Sequence, residues 1–182
     1  MLINEDGIPL DTWQEKLSNS NDATIHDFIK TLLSKNLRNT IFVDVTANEE
    51  VAKTYPALLE KSITVVACNK IACSSTYEEY KKLKDLVREF NGQLLFETNV
   101  GASLPVIGAL NDLVKSGDNV HKMDAVLSGT LNYVFNNYDG MQSFASVVKR
   151  AQDEGYTEPD PRLDLSGRDV MRKILILARE AG

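Results

Sequence analysis

The sequence is poor in the residues that mark several protein classes. Its 182 residues include only two cysteines and five prolines, which excludes a disulfide scaffold and a proline-rich disordered chain. The longest apolar runs, residues 63–68 and 174–178, are far shorter than the roughly 20 residues that span a bilayer. The start of the chain resembles neither a secretory signal nor a basic presequence, so we expect a cytoplasmic protein that does not associate with membranes.

Positive charge is also scarce. Twenty Lys and Arg residues stand against 26 Asp and Glu residues, which gives a net charge of −6. Nucleic-acid binding needs clustered Lys and Arg to replace the counterions of phosphates, so we predict a small-molecule partner and no nucleic acid. The hydrophobic fraction of 43% is sufficient for a folded core.

The two cysteines leave two interpretations open. Cys68 and Cys73, with His26 and His121 elsewhere, could contribute to a zinc site, but no second cysteine pair completes four ligands. The favoured alternative is two ordinary thiols at the end of a strand.

Strand and helix patterns alternate in the first half of the chain. Apolar runs at residues 41–45, 63–67 and 94–96 predict buried strands. Helical periodicity at residues 49–61 and 75–90 separates them, and two further helices are predicted upstream at 10–17 and 24–33. Polar residues 74–76 before Glu78 and Glu79 are typical of a capping box. This order predicts an α/β fold with a doubly wound, Rossmann-like parallel sheet. The Gly-x-Gly-x-x-Gly turn of a dinucleotide site is absent, so the sheet is expected to be partial.

The pattern changes after residue 97. Helices are predicted at 104–115, 130–138, 144–153 and 167–180, with a strand at 120–127, so this half is predicted to be an α+β region. Four successive apolar residues, 174–177, point to every side of the last helix and predict that it is buried all round.

Polar residues follow all three predicted strands. They are Thr46 and Asn48 after the first, Asn69 and Lys70 after the second, and Glu97, Thr98 and Asn99 after the third. Ligands of open α/β sheets bind at the carboxyl ends of the strands, so we predict a site there. The alternative is that such turns are polar anyway, with Thr46 or Asn69 serving as helix caps.

Residues 155–173 carry the strongest local signal. Two prolines flank Asp160 and disfavour both helix and sheet, which predicts an extended loop that presents Glu158 and Asp160 to a cation. Asp169 and Lys173 are four residues apart and therefore lie on one side of a helix. A partly buried lysine at this point is a candidate for proton transfer, and a surface ion pair is the alternative interpretation.

Several long motifs occur in an order that resembles homoserine dehydrogenase. They are Phe-Glu-Thr-Asn-Val-Gly-Ala-Ser-Leu-Pro-Val-Ile at 96–107, Leu-Ser-Gly-Thr-Leu-Asn-Tyr at 127–133, and residues 155–173. The resemblance extends back through Asp44-Val-Thr and Asn69-Lys70 to residues 4–10. The opening and the final Leu-Ala-Arg-Glu-Ala-Gly are most similar to the dehydrogenase part of bifunctional aspartokinase/homoserine dehydrogenases.

The resemblance implies NAD(P)-dependent interconversion of L-homoserine and L-aspartate 4-semialdehyde, in threonine, methionine and isoleucine biosynthesis, by a homo-oligomer. Residues 1–95 would be the C-terminal part of a dinucleotide-binding domain without its glycine-rich first half. Residues 96–182 would be a homoserine-binding catalytic and dimerisation region, truncated at its C-terminus. The alternative is a catalytically silent fragment that serves assembly or regulation. A different hydride-transfer enzyme is disfavoured, because the Glu-Pro-Asp-Pro loop is not general to dehydrogenases.

The same resemblance assigns roles to individual residues. Lys173 and Lys70 would be catalytic, and Glu158 and Asp169 would bind the substrate. The cofactor-binding positions would be Thr46, Ala47, Lys70 and Gly155. The ligands of a monovalent cation such as Na⁺ would be Glu97, Val100, Ala102 and Leu104. Ser103 stands where the family usually has glycine, which affects the expected geometry of that loop but not the cation ligands, most of which would be backbone carbonyls.

Overall fold

A computed structural model describes residues 1–182 of the chain. The strands are β1 Ile41–Asp44, β2 Thr64–Ala67 and β3 Leu94–Leu95. The α-helices are α1 Trp13–Ser18, α2 Ile25–Lys35, α3 Glu49–Ala52, α4 Tyr55–Leu59, α5 Tyr77–Glu89, α6 Val106–Lys115, α7 Gly129–Asn137, α8 Phe144–Asp153, α9 Pro161–Leu165 and α10 Arg168–Glu180. None of these helices combines the length and apolar character that crossing a membrane requires.

The three strands form one parallel sheet in the order β1-β2-β3. β1 pairs with β2 from Ile41 opposite Thr64 to Asp44 opposite Ala67, and β2 pairs with β3 at Val65 opposite Leu94. Since parallel neighbours cannot be joined by a tight hairpin, the helices between the strands serve as crossovers. The predicted α/β fold with a parallel sheet is therefore confirmed.

Helices cover only one face of this sheet. Phe42 and Val65 point to that face and are buried in the main core with residues of α2, α4 and α5. Ile41 and Val43 point to the opposite face, because side chains alternate along a strand, and each is 60% exposed. The sheet therefore presents an open apolar surface along β1, which is also an edge strand.

The helix predicted at residues 49–61 is divided into α3 and α4. Pro56 lies in the first turn of α4, where its missing N–H is not needed. A continuous helix would place the same proline in the interior, where its ring would clash with the preceding turn. The proline therefore ends α3 and lets α4 begin.

The capping box predicted before α5 is confirmed. The Thr76 hydroxyl accepts a hydrogen bond from the Glu79 N–H at 3.3 Å, and the Glu79 carboxylate accepts one from the Thr76 N–H at 3.2 Å. The two residues satisfy N–H groups that a helix terminus otherwise leaves unpaired. The start of α5 is thus determined by local chemistry.

The strand predicted at residues 120–127 is wrong, because this segment is in no ladder. Met123 and Leu127 pack against a second core that includes Phe96, Val100 and Ile176, but no strand of the chain lies beside the segment. The α+β prediction for residues 96–182 is therefore correct only for its helices. A strand requires a neighbour for its backbone groups, and periodicity does not reveal whether one is present.

The prediction that the last helix is buried all round is also wrong. In α10, Ile176 and Leu177 are buried, whereas Ile174 and Leu175 are half-buried and Met171 is 50% exposed. The helix packs against α6, α9 and a short 3₁₀ turn at 72–74, and its remaining side has no neighbour to cover it. α10 is amphipathic in this structure.

The C-terminal end of α10 is anchored by a buried carboxylate. The Glu180 side chain is 1% exposed and forms an ion pair with Lys84 at 2.8 Å. It also accepts hydrogen bonds from the Tyr80 hydroxyl and from the Asn111 amide at 3.2 Å. These contacts join the C-terminal end of α10 to α5 and α6.

Candidate active site

A buried carboxylate organises the ends of β1 and β2. Asp44 is 2% exposed, and it accepts hydrogen bonds from the Tyr55 hydroxyl at 2.6 Å, the Asn69 amide at 3.0 Å and the Thr46 N–H at 2.8 Å. The Asn69 amide also donates to the Asn48 carbonyl at 2.9 Å. These bonds hold the polar turns that follow β1 and β2 against each other.

The same hydrogen bonds keep this carboxylate ionised. Burial alone would raise the pKa of Asp44, but the donors on Tyr55, Thr46 and Asn69 outweigh burial and hold the pKa below its usual range. Hydrogen bonds to the charged form of a carboxyl group favour that form.

Asn99 brings the third strand end to the same place. It is fully buried, and with its amide nitrogen turned toward the main chain it donates to the carbonyls of Ala67 and Cys68 at 3.0 Å each. The polar residues after the three strands therefore meet at one end of the sheet, as predicted.

Asp169 joins the two candidate catalytic lysines. Its carboxylate lies 2.7 Å from the Lys173 ammonium and 3.2 Å from the Lys70 ammonium. Lys70 comes from the turn after β2, whereas Asp169 and Lys173 come from successive turns of α10. The side chain of Lys70 is 26% exposed and that of Lys173 is 20% exposed. Two ammonium groups share one carboxylate, so the cluster carries a net positive charge.

The charge of this cluster affects the carboxylate itself. Burial raises the pKa of Asp169, but the hydrogen bond from Lys173 and the charge of Lys70 outweigh burial, so the pKa lies below its usual range. Asp169 therefore stays an acceptor that holds both lysines in place.

A cleft of about 370 Å³ lies beside Lys173. It is lined by Gly101, Ala102, Val126, Leu127, Ser128, Gly129, Asn132 and Lys173. The Lys173 ammonium donates to the Leu127 carbonyl at 2.8 Å, which directs it to this side of α10. The cleft has the size of a small-metabolite site.

A second group of residues holds the loop between α8 and α9, residues 154–160, here called the Glu158 loop. The Glu158 N–H donates to the Asp164 carboxylate at 2.9 Å, and the Thr130 hydroxyl donates to the other Asp164 oxygen at 3.0 Å. The Tyr156 carbonyl lies within hydrogen-bond distance of the same Thr130 hydroxyl and shares its single hydrogen. The loop is thus tied to the first turn of α7, next to Gly129 of the cleft. Glu158 is exposed, and its side chain has no hydrogen-bond partner.

The loop is only partly extended, which corrects the prediction for it. Pro161 is the first residue of α9, a position where proline is favoured because its N–H is not needed. Asp160 caps this helix, accepts from the Arg162 N–H at 3.1 Å and forms an ion pair with the Arg162 guanidinium at 2.8 Å. Asp160 is therefore occupied, and Glu158 is the loop carboxylate left to bind a cation.

The predicted cofactor residues fall into two groups. Thr46, Ala47 and Lys70 lie on the adjacent turns that Asp44 joins, and Thr46 and Ala47 are exposed. Gly155 follows α8 in the Glu158 loop, has φ +79°, and nothing lies within 4 Å of the position that a Cβ would occupy. No hydrogen bond or ion pair joins Gly155 to the first group.

Glu97 caps a helix through its side chain. Its carboxylate accepts from the N–H groups of Ile107 at 2.8 Å and Gly108 at 2.7 Å, in the first turn of α6. A Cβ at Gly108 would lie 3.1 Å from this carboxylate, so glycine permits the close approach. The Glu97 side chain is therefore already satisfied by the protein.

The residues predicted to bind a cation lie in one loop between β3 and α6, and two of them have backbone carbonyls without a hydrogen bond. The carbonyls of Val100 and Ala102 accept no hydrogen bond, whereas that of Leu104 accepts one from Val106. Gly101 has φ +82°, and a Cβ there would lie 2.7 Å from the Val106 side chain, so the turn requires glycine at this point. Ser103 does not adopt a positive φ, so serine fits the loop without backbone strain.

The structure disfavours the zinc alternative. Cys68 is exposed and Cys73 is buried, and both are free. Burial raises the pKa of the Cys73 thiol to about 12. No group of three or more His, Cys, Asp or Glu side chains in the structure is placed to hold a metal ion together.

Comparison with known proteins identifies the family. The model of the homoserine dehydrogenase NAD binding domain matches residues 4–97, and the homoserine dehydrogenase model matches residues 105–182. The chain belongs to the homoserine dehydrogenase family. This family consists of NAD(P)-dependent oxidoreductases. The boundary predicted between residues 95 and 96 stays a prediction.

Curated relatives include bifunctional and single-function proteins. The chain is 43% identical over 184 residues to the chloroplastic bifunctional aspartokinase/homoserine dehydrogenase 1 of Zea mays, covering 100% of the chain and 20% of the relative. It is 40% identical over 180 residues to the homoserine dehydrogenase of Schizosaccharomyces pombe, covering 96% of the chain and 48% of the relative. The chain thus spans a fifth of the first protein and about half of the second.

Solved structures agree with this assignment. A Candida auris protein of unknown function superposes with a TM-score of 0.88 at 38% identity, over 100% of this chain and 52% of that one. A hyperthermophilic archaeal homoserine dehydrogenase in complex with NADPH gives a TM-score of 0.74 at 29% identity, over 94% and 54%. The Rossmann-like class predicted for the chain is confirmed.

The sequence analysis gave no role to several residues that organise the candidate site. Asp44 and Tyr55 join the two turns, and Thr130 and Asp164 hold the Glu158 loop. For Asp44 the sequence did contain a signal, namely its position at the end of an apolar strand. A carboxylate that is buried there must be paired or hydrogen-bonded, so a partner for Asp44 could have been predicted. Thr130 and Asp164 occur in the quoted motifs, but only the folded chain shows that they meet.

Proposed function

We propose that this chain carries the substrate site of an oxidoreductase that interconverts L-homoserine and L-aspartate 4-semialdehyde with NAD(P)(H). The observation that carries the proposal is the pairing of Asp169 with both Lys70 and Lys173 beside a cleft of about 370 Å³. Membership of the homoserine dehydrogenase family supports it. Because the chain spans about half of the fission yeast relative, the activity belongs to the proposal.

The chemistry of homoserine suits the free groups of the site. Homoserine carries an ammonium, a carboxylate and a primary alcohol. Glu158 is the unpaired loop carboxylate and binds the ammonium, while the Lys70 ammonium favours the substrate oxygen as it becomes negative. Lys173, held by Asp169 and the Leu127 carbonyl, accepts the alcohol proton in its neutral form as hydride leaves the alcohol carbon, and its ammonium form returns that proton to the aldehyde oxygen in the reverse direction.

The cofactor-contacting residues fit the nicotinamide end of NAD(P). When bound, the nicotinamide accepts hydride from the alcohol carbon. Thr46 and Ala47 offer an exposed turn at the carboxyl end of β1, and Gly155 leaves the space of a side chain open. Lys70 orients the substrate oxygen toward that end. Pyrophosphate is bound by a glycine-rich turn in such folds, and this sequence contains none.

A monovalent cation such as Na⁺ is proposed for the loop between β3 and α6. The unpaired carbonyls of Val100 and Ala102 supply oxygen ligands of the kind that hard cations prefer. The Glu97 carboxylate and the Leu104 carbonyl would also bind the cation, through lone pairs that their hydrogen bonds leave free. The Glu97 carboxylate already caps α6, and the Leu104 carbonyl already accepts from the Val106 N–H. The cation would stabilise the loop that forms one wall of the cleft.

The reaction would place the protein in threonine, methionine and isoleucine biosynthesis, acting on a small molecule as a homo-oligomer. Its location in the cytoplasm stays a prediction, since the Zea mays relatives are described as chloroplastic.

A replacement experiment tests the proposal. In the Schizosaccharomyces pombe homoserine dehydrogenase, the region matched by this chain is exchanged for residues 1–182, which yields a chimera with the remaining segments of that relative. Reduced nicotinamide formed on addition of L-homoserine is followed by absorbance. We expect homoserine-dependent turnover with NAD(P)⁺. A chimera that folds and binds nucleotide but never oxidises homoserine would support the alternative of a silent fragment for assembly or regulation.

A further inference from the structure

A glycine without neighbours lies near the start of the Glu158 loop. Gly155 has φ +79°, and nothing lies within 4 Å of the position that a Cβ would occupy. The Gly155 N–H donates to the Gln152 carbonyl at 3.0 Å, and the Tyr156 N–H donates to the Ala151 carbonyl at 2.9 Å. These bonds tie the loop to the end of α8. Because glycine has more conformational freedom than any other residue, contacts from outside α8 decide how firmly Glu158 is held.

Tyr133 of α7 contacts the residues on both sides of this glycine. Its hydroxyl donates to the Glu154 carboxylate at 2.8 Å. Its ring stacks on the Tyr156 ring, with the centroids 4.2 Å apart and the ring planes inclined by 23°. The bond to Glu154 raises the pKa of the Tyr133 hydroxyl above its usual value, so the hydroxyl stays a donor well above neutral pH. Tyr133 therefore spans Gly155.

The same side of α7 also holds the main chain of the loop. Thr130 and Tyr133 are three residues apart and are neighbours on the helix surface. The Thr130 hydroxyl lies within hydrogen-bond distance of the Tyr156 carbonyl and of the Asp164 carboxylate, and this carboxylate accepts from the Glu158 N–H at 2.9 Å. The main chain of Tyr156 is thus held through Thr130, whereas its ring is held by Tyr133.

We propose that Tyr133 is a positioning residue that holds Glu158 in place for the substrate ammonium by stacking on Tyr156. The inference rests on the proposed function, in which Glu158 binds that ammonium. Gly129 and Asn132, on an adjacent side of α7, line the cleft. The helix that carries Tyr133 therefore also forms a wall of the proposed substrate site, and the stack fixes the loop relative to that wall.

The ring of Tyr133 has this role rather than its hydroxyl. Glu154 is exposed, so its bond to the hydroxyl is exchanged for bonds to water with little net change in free energy. The ring is half-buried and packs against the small core of Val134, Val147 and Ala151, which fixes its orientation. Stacked aromatic rings attract each other beyond the area that they bury. Leucine at this position would keep the packing without the stack, and phenylalanine would keep both.

Kinetics of the chimera separate positioning from a general effect on folding. Tyr133→Leu should raise the KM for homoserine by about three- to tenfold and keep kcat within about twofold, because the stack orients a binding group and not the proton-transfer group. Tyr133→Phe should keep this KM within about twofold of that of the unchanged chimera. Tyr138→Leu is the matched control, since Tyr138 directly follows α7 and its ring contacts Phe144.

A double variant tests whether Tyr133 acts through Glu158. In a Glu158→Gln background, Tyr133→Leu should change the KM for homoserine by less than about twofold, because the effects of coupled residues are not additive. An equal effect of Tyr133→Leu with and without the Glu158 carboxylate would overturn the proposal. A phenylalanine variant as impaired as the leucine variant, or a leucine variant with unchanged KM, would also overturn it.

Amide hydrogen exchange of the 182-residue chain tests the contact without any activity. Tyr133→Leu should speed exchange of the amides of residues 155–158 by about threefold or more, whereas Tyr133→Phe and Tyr138→Leu should leave it unchanged. If the chimera never oxidises homoserine, the proposed function fails, and faster exchange would still assign Tyr133 to holding the loop. Unchanged exchange in Tyr133→Leu would overturn the inference whatever the activity of the chimera.

Discussion

At the scale of single residues, the site depends on a few charged groups that the fold leaves partly free. Lys173 makes two contacts, with Asp169 and with the Leu127 carbonyl, and Leu127 lines the cleft. Lys70 contacts Asp169 from the opposite side. The group proposed for proton transfer is thus held by a carboxylate and a main-chain carbonyl.

Replacing Lys173 is expected to impair turnover more than folding. In the chimera, Lys173→Ala should lower kcat by roughly 10² to 10⁴, as loss of a general acid/base does. The exposed Lys149 on α8 provides the control, and Lys149→Ala should leave kcat unchanged. Steady-state absorbance assays measure both. If the Lys173 variant keeps more than about half of the kcat, Lys173 is not the proton-transfer group.

Glu158 is expected to act in substrate binding alone. Glu158→Gln in the chimera should chiefly raise KM for homoserine, by about tenfold or more, because a carboxylate that holds an ammonium is neutralised. Nucleotide affinity should change little. Asp160→Asn is the matched control in the same loop, since Asp160 is already paired with Arg162. Unchanged homoserine KM together with weaker nucleotide binding would assign the loop to the cofactor.

At the scale of elements, the arrangement of the strand ends depends on Asp44. This carboxylate joins β1 to α4 through Tyr55 and to the turn after β2 through Asn69. Its substitution should therefore affect both the stability of the sheet end and the position of Lys70.

Asp44→Asn should lower the free energy of unfolding at pH 7 by roughly 1 to 3 kcal/mol, because charge-assisted hydrogen bonds from buried donors are weakened. The folded pKa of Asp44 is depressed, so the stability that it contributes is present above the unfolded pKa and is lost as the pH falls through the folded pKa. The difference between the two proteins should therefore narrow below about pH 4. Urea unfolding at several pH values measures it.

An exposed carboxylate supplies the comparison for Asp44. Asp112→Asn, on the exposed side of α6, should change the free energy of unfolding by less than about 0.5 kcal/mol at each pH. If Asp44→Asn behaves in the same way, the buried network does not stabilise the sheet end.

At the scale of the whole molecule, the sheet is covered on one face only. Ile41 and Val43 of edge strand β1 are each 60% exposed, and Val45 directly after the strand is 74% exposed. An open strand edge and an apolar face both favour association. This surface is therefore expected to drive self-association of the 182-residue chain, which light scattering measures.

The chain by itself is expected to bind nucleotide weakly. Thr46, Ala47, Lys70 and Gly155 can contact the nicotinamide end, but the glycine-rich turn that binds pyrophosphate is not in the sequence. We expect a dissociation constant for NADPH of about 1 mM or weaker and no detectable homoserine oxidation. Calorimetry with the 182-residue chain measures the affinity, and the chimera is the positive control. Micromolar affinity for the isolated chain would show that other backbone groups bind the phosphates.

Local sequence determined the elements whose chemistry is complete within a few residues. The capping box of Thr76 and Glu79, the apolar runs of β1 and β2, and the placement of Asp169 one turn before Lys173 follow from contacts between near neighbours. The prediction of a strand at 120–127 failed because a ladder needs a second strand. The prediction that α10 is buried all round failed because packing, and not composition, decides which side of a helix is covered.

Only the tertiary structure decided which distant groups meet. The Lys173 ammonium reaches a carbonyl 46 residues away, and Thr130 reaches Asp164 across 34 residues. Lys70 meets Asp169 because the turn after β2 and the start of α10 are brought to the same end of the sheet. Periodicity records the preference of a segment for helix or strand, whereas such contacts depend on how finished elements pack together. The motifs could therefore indicate the family, but the way in which Asp169 holds both lysines follows from packing.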